Sequence, residues 1–267
     1  MSKKRSTKSS SIEEIEPDGV SLSVRLFYLY DMSLSANQLL KFMKDHPFTM
    51  VAGEPTEGFT KVSTAGTTVS ADFIASFRQP VYAFVSGQLV ERDPIFTVKK
   101  SSVSVNFDRN FVEVHGSGRL AARFRTLLRK EEVARIAPVT ITDEARTIFD
   151  EIKRRDKTEI TYALISFPDI ESKKTPLDHV EFKGENIQNV GEINLYQTRW
   201  GGTISKFSGN VLYPSTRLPM KTTVNFKAGS LSVTPPFGET KINAKSLRWL
   251  VTMLEKSADP YPPPDQS

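Results

Sequence analysis

The sequence predicts an α+β protein built from two related, mainly antiparallel β-rich units, each closed by an amphipathic helix, with a bridging helix between the halves. Short runs of Val, Ile, Phe, Tyr and Thr dominate the chain, which is typical of strands. In each half a strand-like pair is followed by apolar residues at helical spacing. The two strand pairs also share a sequence pattern, which indicates an internal duplication.

The internal repeat is clearest in the strand pair that precedes each helix. In the first half, Val105-Asn106-Phe107 is followed after three residues by the run 111–114. In the second half, Val224-Asn225-Phe226 is followed after three residues by the run 231–233, so the two regions match at an offset of 119. Upstream, residues 84–90 resemble residues 206–212 at an offset of 122, and both halves open with a strand-like run, 21–30 and 159–167. The predicted apolar helix stripes are Leu120, Phe124, Leu127 and Leu128 in the first half, and Leu247, Leu250, Val251 and Leu254 in the second. The alternative is a chance similarity between two hairpins.

The composition divides the chain into five segments. They are a flexible arm over 1–18 that is first basic and then acidic, a first β-rich half over 19–138, a bridging helix within 139–157, a second β-rich half over 158–257 and a proline-rich tail over 258–267. Asp143 and Glu144 begin the bridging helix and Arg154 lies near its end, charges that complement the helix dipole. Residues 35–45 predict another helix, capped by Ser35, and residues 52–70 predict a polar loop or a weak edge hairpin.

The composition also excludes several kinds of chemistry. The absence of cysteine removes disulfides, thiolate metal sites and cysteine nucleophiles, and the three histidines, His46, His115 and His179, are scattered. We therefore expect no metal site and no cofactor. No apolar run has the length of a membrane span, and neither a signal peptide nor an Asn-x-Ser/Thr sequon is present. The expectation is a cytoplasmic or nuclear protein without a membrane partner.

Positive charge is concentrated in one segment. The formal net charge is +5, yet 119–130 alone holds five basic residues and no acid, namely Arg119, Arg123, Arg125, Arg129 and Lys130. Such a segment attracts a polyanion or an acidic partner, unless it is simply a solvated helix face. Before it, His115-Gly116-Ser117-Gly118 is either a tight turn or a backbone cradle for phosphate.

Aromatic residues beside cations add to this pattern. Arg199-Trp200 precedes two glycines, and Arg248-Trp249 lies within the second predicted amphipathic helix. Such pairs stack on nucleic-acid bases or anchor a protein, although Trp249 would equally suit packing against the rest of the fold. The N-terminal arm contributes further cations, which are Lys3, Lys4, Arg5 and Lys8.

One spacing of acidic residues suggests catalysis. Pro168-Asp169 is followed, after eleven intervening residues, by Glu181-Phe182-Lys183. Carboxylates at the ends of neighbouring strands, with a lysine on the same face, hold a divalent cation and steady an attacking water. This resembles the Pro-Asp … Glu-x-Lys signature of the restriction-endonuclease-like nucleases. The resemblance implies a metal-dependent nuclease with Asp169, Glu181 and Lys183 in its site.

These observations leave three functional hypotheses. The leading one is a non-enzymatic protein that binds DNA or RNA through the basic helix face and the aromatic and arginine pairs. A self-assembling, coat-like structural subunit with a basic arm is the alternative, because a Ser- and Lys-rich arm precedes a β-rich, cysteine-free body. The nuclease is the second alternative. A homo-oligomer or a protein partner is compatible with each hypothesis.

Overall fold

The computed structural model describes residues 14–17, 19–51, 54–141, 154, 159–170, 177–185, 187, 190–193, 195, 204–212 and 219–259. It confirms a mixed α+β protein with a mostly antiparallel sheet. The chain forms two compact units. The first contains the described parts of Ser23–Thr142, Asn225–Leu231 and Ala258–Ser267, and the second contains those of Met1–Leu22, Asp143–Val224 and Ser232–Ser257.

The elements are given in chain order. They are β1 (Glu14–Ile15), β2 (Leu22–Met32), α1 (Ala36–Asp45), β3 (Met50–Val51), β4 (Glu54–Pro55), β5 (Gly58–Ala65), β6 (Thr68–Val85), β7 (Gln88–Asn106), β8 (Phe111–His115), α2 (Gly118–Lys130), β9 (Ala134–Pro138), β10 (Glu159–Ile170), β11 (Leu177–Lys183), β12 (Lys206–Leu212), β13 (Pro219–Asn225), β14 (Ser230–Thr234), β15 (Ile242–Asn243) and α3 (Ala244–Ser257). No helix in the described ranges is both long and apolar enough to cross a membrane.

The first unit is an antiparallel sheet with two helices on one face. Its strand order is β2-β8-β7-β6-β5, and β9 also pairs with β2. Alternate residues of β6 are buried, as a sheet with one covered face requires. They join one core with buried residues of both helices, including Leu39, Met43, Phe124 and Leu128.

Each helix of the first unit begins directly after a serine cap, which the sequence predicts for α1. The hydroxyl of Ser35 accepts a hydrogen bond from the Gln38 amide, and the Gln38 side-chain oxygen accepts one from the Ser35 amide, so α1 starts with a capping box. The hydroxyl of Ser117 accepts from the Leu120 amide and caps α2. The turn before α2 is therefore used to start the helix.

The segment predicted as a polar loop or a weak edge hairpin contains an edge strand of the first unit. Residues 58–65 form β5, which pairs with β6, so the hairpin interpretation of 52–70 is correct for this part. The strands β6 and β7 continue far beyond β5 and β8 as a two-stranded ribbon that ends in a tight turn. In that turn Ser86 and Gly87 have φ values of 49° and 81°, the left-handed geometry of a two-residue hairpin loop.

In the second unit the strand order is β11-β10-β12-β13-β14, and β1 pairs separately with β15. The helix α3 buries the apolar stripe predicted from the sequence, which is Leu247, Leu250, Val251 and Leu254. Of the segment 139–157, in which the bridging helix was predicted, the structure describes residues 139–141, which are not helical, and Arg154, which is; the other residues of this segment lie outside the described ranges.

The two hairpins that match at an offset of 119 have the same turn. The Asn106 side-chain oxygen accepts from the Arg109 amide at 2.9 Å, and the Asn225 side-chain oxygen accepts from the Ala228 amide at 3.0 Å. The last turn residue is left-handed in both, with φ of 53° at Asn110 and 49° at Gly229. We name β7, β8 and α2 the first hairpin–helix segment, and β13, β14 and α3 the second.

The other two sequence matches have no structural counterpart. Residues 84–90 form the end of the ribbon with its turn, whereas residues 206–212 form the uninterrupted strand β12. The opening strands also differ in position, because β2 pairs with β8 while β10 pairs with β12. Sequence similarity over a few polar and small residues does not distinguish a turn from a strand interior.

Candidate nucleic-acid interface

The helix α2 presents a basic face to solvent because its apolar residues are all on the other side. Leu120, Phe124, Leu127 and Leu128 recur every three or four residues and are buried in the core of the first unit. The five predicted cations are all exposed, which are Arg119, Arg123, Arg125, Arg129 and Lys130. The packing of one stripe therefore fixes the direction of the charges.

Two of these arginines lie over an aromatic ring. The guanidinium carbon of Arg119 is 4.7 Å from the centre of the Phe77 ring, and that of Arg123 is 6.0 Å from it. Phe77 is the last buried residue of β6, so its ring is fixed by the core. Cation–π contacts hold a guanidinium near one position while its N–H groups stay available to an anion.

The other two arginines line a cleft beside the helix. The cleft has a volume of about 290 Å³ and is lined by Tyr30, Arg125, Thr126, Arg129, Ala134, Arg135 and Ile136. The elements α2, β9 and the end of β2 thus bring three guanidinium groups and one phenol to the same place. A guanidinium presents a planar fork of N–H donors that matches the oxygens of a phosphate.

Acidic neighbours compensate little of this charge. Within the described ranges, Arg135 lies 3.6 Å from Asp31, and Lys130 lies 3.7 Å from Glu131. No acidic side chain in these ranges is within 4.0 Å of Arg125 or Arg129. The cleft and the adjoining helix face therefore carry a net positive charge.

The cations of α3 are arranged differently. The guanidinium of Arg248 makes a 2.8 Å ion pair with the nearly buried carboxylate of Glu255, and its Nε donates to Thr252. Trp249 is half-buried. The positive charge of Arg248 is thus used within the second unit.

Glu181, from the nuclease pattern, is held by its own strand pair. Its carboxylate is 2.6 Å from the Lys183 amine, accepts from the Ser166 hydroxyl at 3.2 Å and lies 4.0 Å from His179. The hydrogen bond from Lys183 lowers the pKa of Glu181 below its usual range, with a further contribution from Ser166. Glu181 is paired with Ser166 across the strands, and the side chain of Asp169 lies outside the described residues.

In the part of the chain that the structure describes, no three acidic or histidine side chains are grouped to hold a metal ion.

The glycine turn before α2 is closely packed. A side chain on Gly116 would meet Ser101, and one on Gly118 would meet the guanidinium of Arg25. The Ser117 hydroxyl is occupied by the helix cap. The turn therefore supports α2 through its packing and its cap.

Six predicted contact residues lie outside the described ranges: Lys3, Lys4, Arg5, Lys8, Arg199 and Trp200. Conversely, sequence reasoning missed Tyr30 and Arg135. Each lies in a strand and gives no local signal, and only the pairing of β9 with β2 brings both to the cleft.

A comparison with models of known protein families finds no match, and no curated protein is significantly similar in sequence.

Proposed function

We propose that the protein binds nucleic acid without catalysis, through the outer face of α2 and the cleft beside it. The observation that carries this proposal is the convergence of Arg125, Arg129 and Arg135 on one cleft that also contains Tyr30. Arg119 and Arg123 add charge on another side of the same helix, roughly 120° around it from Arg125 and Arg129, where they lie over Phe77. These two residues and Lys130 span about 16 Å at the helical rise of about 1.5 Å per residue, enough for several consecutive phosphates.

The chemistry of this surface favours backbone recognition. The arginines would contact phosphate oxygens and release counterions, and Tyr30 would stack on a base or sugar at the cleft. Such contacts tolerate many sequences, because a phosphate carries no sequence information. The basic N-terminal arm, with Lys3, Lys4, Arg5 and Lys8, would add further salt-sensitive contacts.

We also propose that the two hairpin–helix segments arose by duplication, with the contacts to nucleic acid developed on only one of them. The shared asparagine turn and the left-handed residue at equivalent positions support this proposal. The boundaries of the two halves, 19–138 and 158–257, and the bridging helix within 139–157 are part of the same proposal.

A titration tests the proposed function. Fluorescence polarisation is measured with labelled single- and double-stranded DNA and RNA at two salt concentrations, with Mg²⁺ present and probe length checked afterwards. We expect binding that weakens steeply with salt, with a logarithmic slope of roughly −3 to −5 for four to six phosphate contacts. The probes should remain intact.

The other outcomes identify the competing hypotheses. Shortened probes would contradict the proposal and favour a nuclease that uses Asp169, Glu181 and Lys183. Absence of binding at low salt would remove the nucleic-acid proposal altogether. A coat-like subunit would form large, concentration-dependent species in light scattering without any nucleic acid.

A further inference from the structure

The cleft beside α2 has the size and the walls of a pocket for an organic group. Its volume of about 290 Å³ lies near the lower end of the range for pockets that hold small ligands. Arg125, Arg129 and Arg135 supply the charge around it, while the ring of Tyr30 and the buried side chain of Ile136 contribute apolar surface. A phosphate would need only the arginines. The aromatic and aliphatic walls suit a base or a sugar.

Tyr30 reaches the cleft through a β-bulge in β2. Leu29 and Asp31 pair with consecutive residues of β9, so Tyr30 between them is the extra residue. In a regular strand Tyr30 would share the face of Tyr28, whose hydroxyl is bound to the Asp259 carbonyl and which does not line the cleft. The bulge re-aims Tyr30 toward α2, and there it is 41% exposed. Its ring is therefore accessible for stacking.

The cations of α2 lie on two sides of the helix. Arg119 and Arg123 lie over the ring of Phe77. Arg125 and Arg129 line the cleft, roughly 120° around the helix from them. A ligand that contacts both pairs has to follow a surface only about 10–12 Å in diameter. Duplex DNA is stiff over about 150 bp and does not bend around such a surface, whereas a single strand does.

Insertion of α2 into the major groove of a duplex is the competing arrangement. It would bring the outermost residues of the helix, the exposed Ala122 and Thr126, against the base edges. Neither has the two-pronged side chain that reads a base pair, and the Thr126 hydroxyl already donates to the Ala122 carbonyl. In a duplex the neighbouring pairs also cover both faces of each base, so Tyr30 would reach one only after the base had been flipped out.

We propose that the protein is selective for single-stranded nucleic acid and that one nucleotide of the strand enters the cleft. This inference rests on the proposed function and adds the class of nucleic acid to it. The base or its sugar stacks on Tyr30, the three arginines of the cleft hold the flanking phosphates, and the strand continues over α2 to Arg119 and Arg123. Asp31 lies 3.6 Å from one of the cleft arginines, Arg135, and leaves the cleft with a net positive charge.

Competition between matched probes tests the proposal. A labelled strand of mixed sequence is displaced either by the same unlabelled strand or by its duplex with the complement, at one salt concentration. We expect the strand to bind roughly tenfold more tightly, although the duplex has the higher charge density and would win on charge alone. Tyr30→Leu should weaken binding of the strand roughly tenfold, the effect of losing one stacked base, and change binding of the duplex less than about twofold.

Two further variants separate stacking from a structural effect. Tyr30→Phe keeps the ring and should bind the strand like the wild-type chain. Tyr82→Leu is the matched control, because Tyr82 is also an exposed tyrosine, by 54%, and does not line the cleft. It should leave both affinities unchanged. An equal loss in Tyr30→Leu and Tyr82→Leu would overturn the proposal.

An abasic strand separates stacking from charge. It carries the same phosphates as an oligothymidylate of equal length, so charge contributes equally to both. We expect the wild-type chain to bind the oligothymidylate roughly tenfold more tightly than the abasic strand, and Tyr30→Leu to bind the two alike.

The outcomes distinguish this inference from the proposed function. The inference is overturned if the wild-type chain binds the duplex as tightly as the strand, or if removal of the bases leaves the affinity unchanged. Both results would leave the proposed binding of nucleic acid in place. Absence of binding to every probe at low salt would overturn both proposals together.

Discussion

The two hairpin–helix segments share the geometry of their hairpin turns and have very different surfaces. In both, an asparagine side chain closes a four-residue turn, and an amphipathic helix with a buried apolar stripe follows in the chain. The outer face of α2 carries five cations, and within the described ranges Arg125 and Arg129 have no acidic neighbour. On α3, Arg248 is paired with Glu255. The shared turn is a feature of the fold, whereas the exposed cations on α2 are the feature that a ligand would contact.

The largest expected difference concerns the left-handed turn residue. A side chain on Gly229 would lie 2.4 Å from the Val139 carbonyl oxygen, whereas Asn110 already has a side chain at the equivalent position. Gly229→Ala should therefore lower the free energy of unfolding by about 3 kcal/mol, from backbone strain and overpacking together. Asn110→Gly should change it by less than about 0.5 kcal/mol. Urea unfolding measures both, and equal effects would mean that the two turns are equally crowded.

The next difference lies in the two helices. Arg248→Met leaves the carboxylate of Glu255, which is 5% exposed, without its cation. Because Arg248 itself is partly exposed, water screens the pair, and we expect a loss of about 2 kcal/mol rather than the value for a fully buried pair. Arg125→Met on α2 should cost less than about 0.5 kcal/mol. In the double variant Arg248→Met/Glu255→Leu stability should largely recover; no recovery would show that Arg248 acts through packing alone.

A smaller effect is the pH dependence of stability that Tyr28 gives to the first unit. The hydroxyl of Tyr28 donates to the Asp259 carbonyl at 2.6 Å, and burial, followed by the charge of Asp259, raises the pKa of Tyr28 to about 12. The folded state therefore keeps the proton more tightly than the unfolded state. This contribution is complete below pH 10 and is lost as the pH rises through about 12. We expect a loss of about 1 kcal/mol between pH 9 and 11, measured by chemical denaturation, and a smaller loss in Tyr28→Phe. Identical pH profiles would contradict this assignment.

The smallest effect tests the equivalence of the turns. Asn106→Ala and Asn225→Ala each remove one side-chain hydrogen bond to a turn amide, and Asn106→Ala also removes the bond that the Asn106 amide nitrogen donates to Thr68. The turn bond should contribute about 0.5–1 kcal/mol to the free energy of unfolding in each case, and Asn106→Ala should have the larger total effect. Thr67→Ala, which removes a hydroxyl bonded to the exposed Asp108 beside the first turn, is the control and should have a weaker effect. A large effect at only one asparagine would indicate that the turns play different structural roles.

Features set by local periodicity could be predicted from the sequence. The Ser35 cap, the buried stripes of α2 and α3, and the exposure of all five α2 cations follow from spacing alone. Features that depend on strand pairing could not. Arg135 and Tyr30 reach the cleft only because β9 pairs with β2. The pairing of Arg248 with Glu255, seven residues away on the same helix, follows from helical periodicity but was missed in the sequence analysis. The ribbon was not foreseen either, because its residues alternate like those of an ordinary strand pair.

The most direct test of the central claim is a parallel titration of two matched variants with a labelled oligonucleotide. Arg125→Ala/Arg129→Ala removes two cations from α2, and Lys245→Ala/Lys256→Ala removes two exposed cations from α3. We expect the affinity at low salt to fall roughly 30-fold in the α2 variant, from the loss of two charge-assisted contacts, and hardly to change in the α3 variant. Equal losses in both variants would contradict it, because they would mean that net charge, rather than the α2 surface, governs binding.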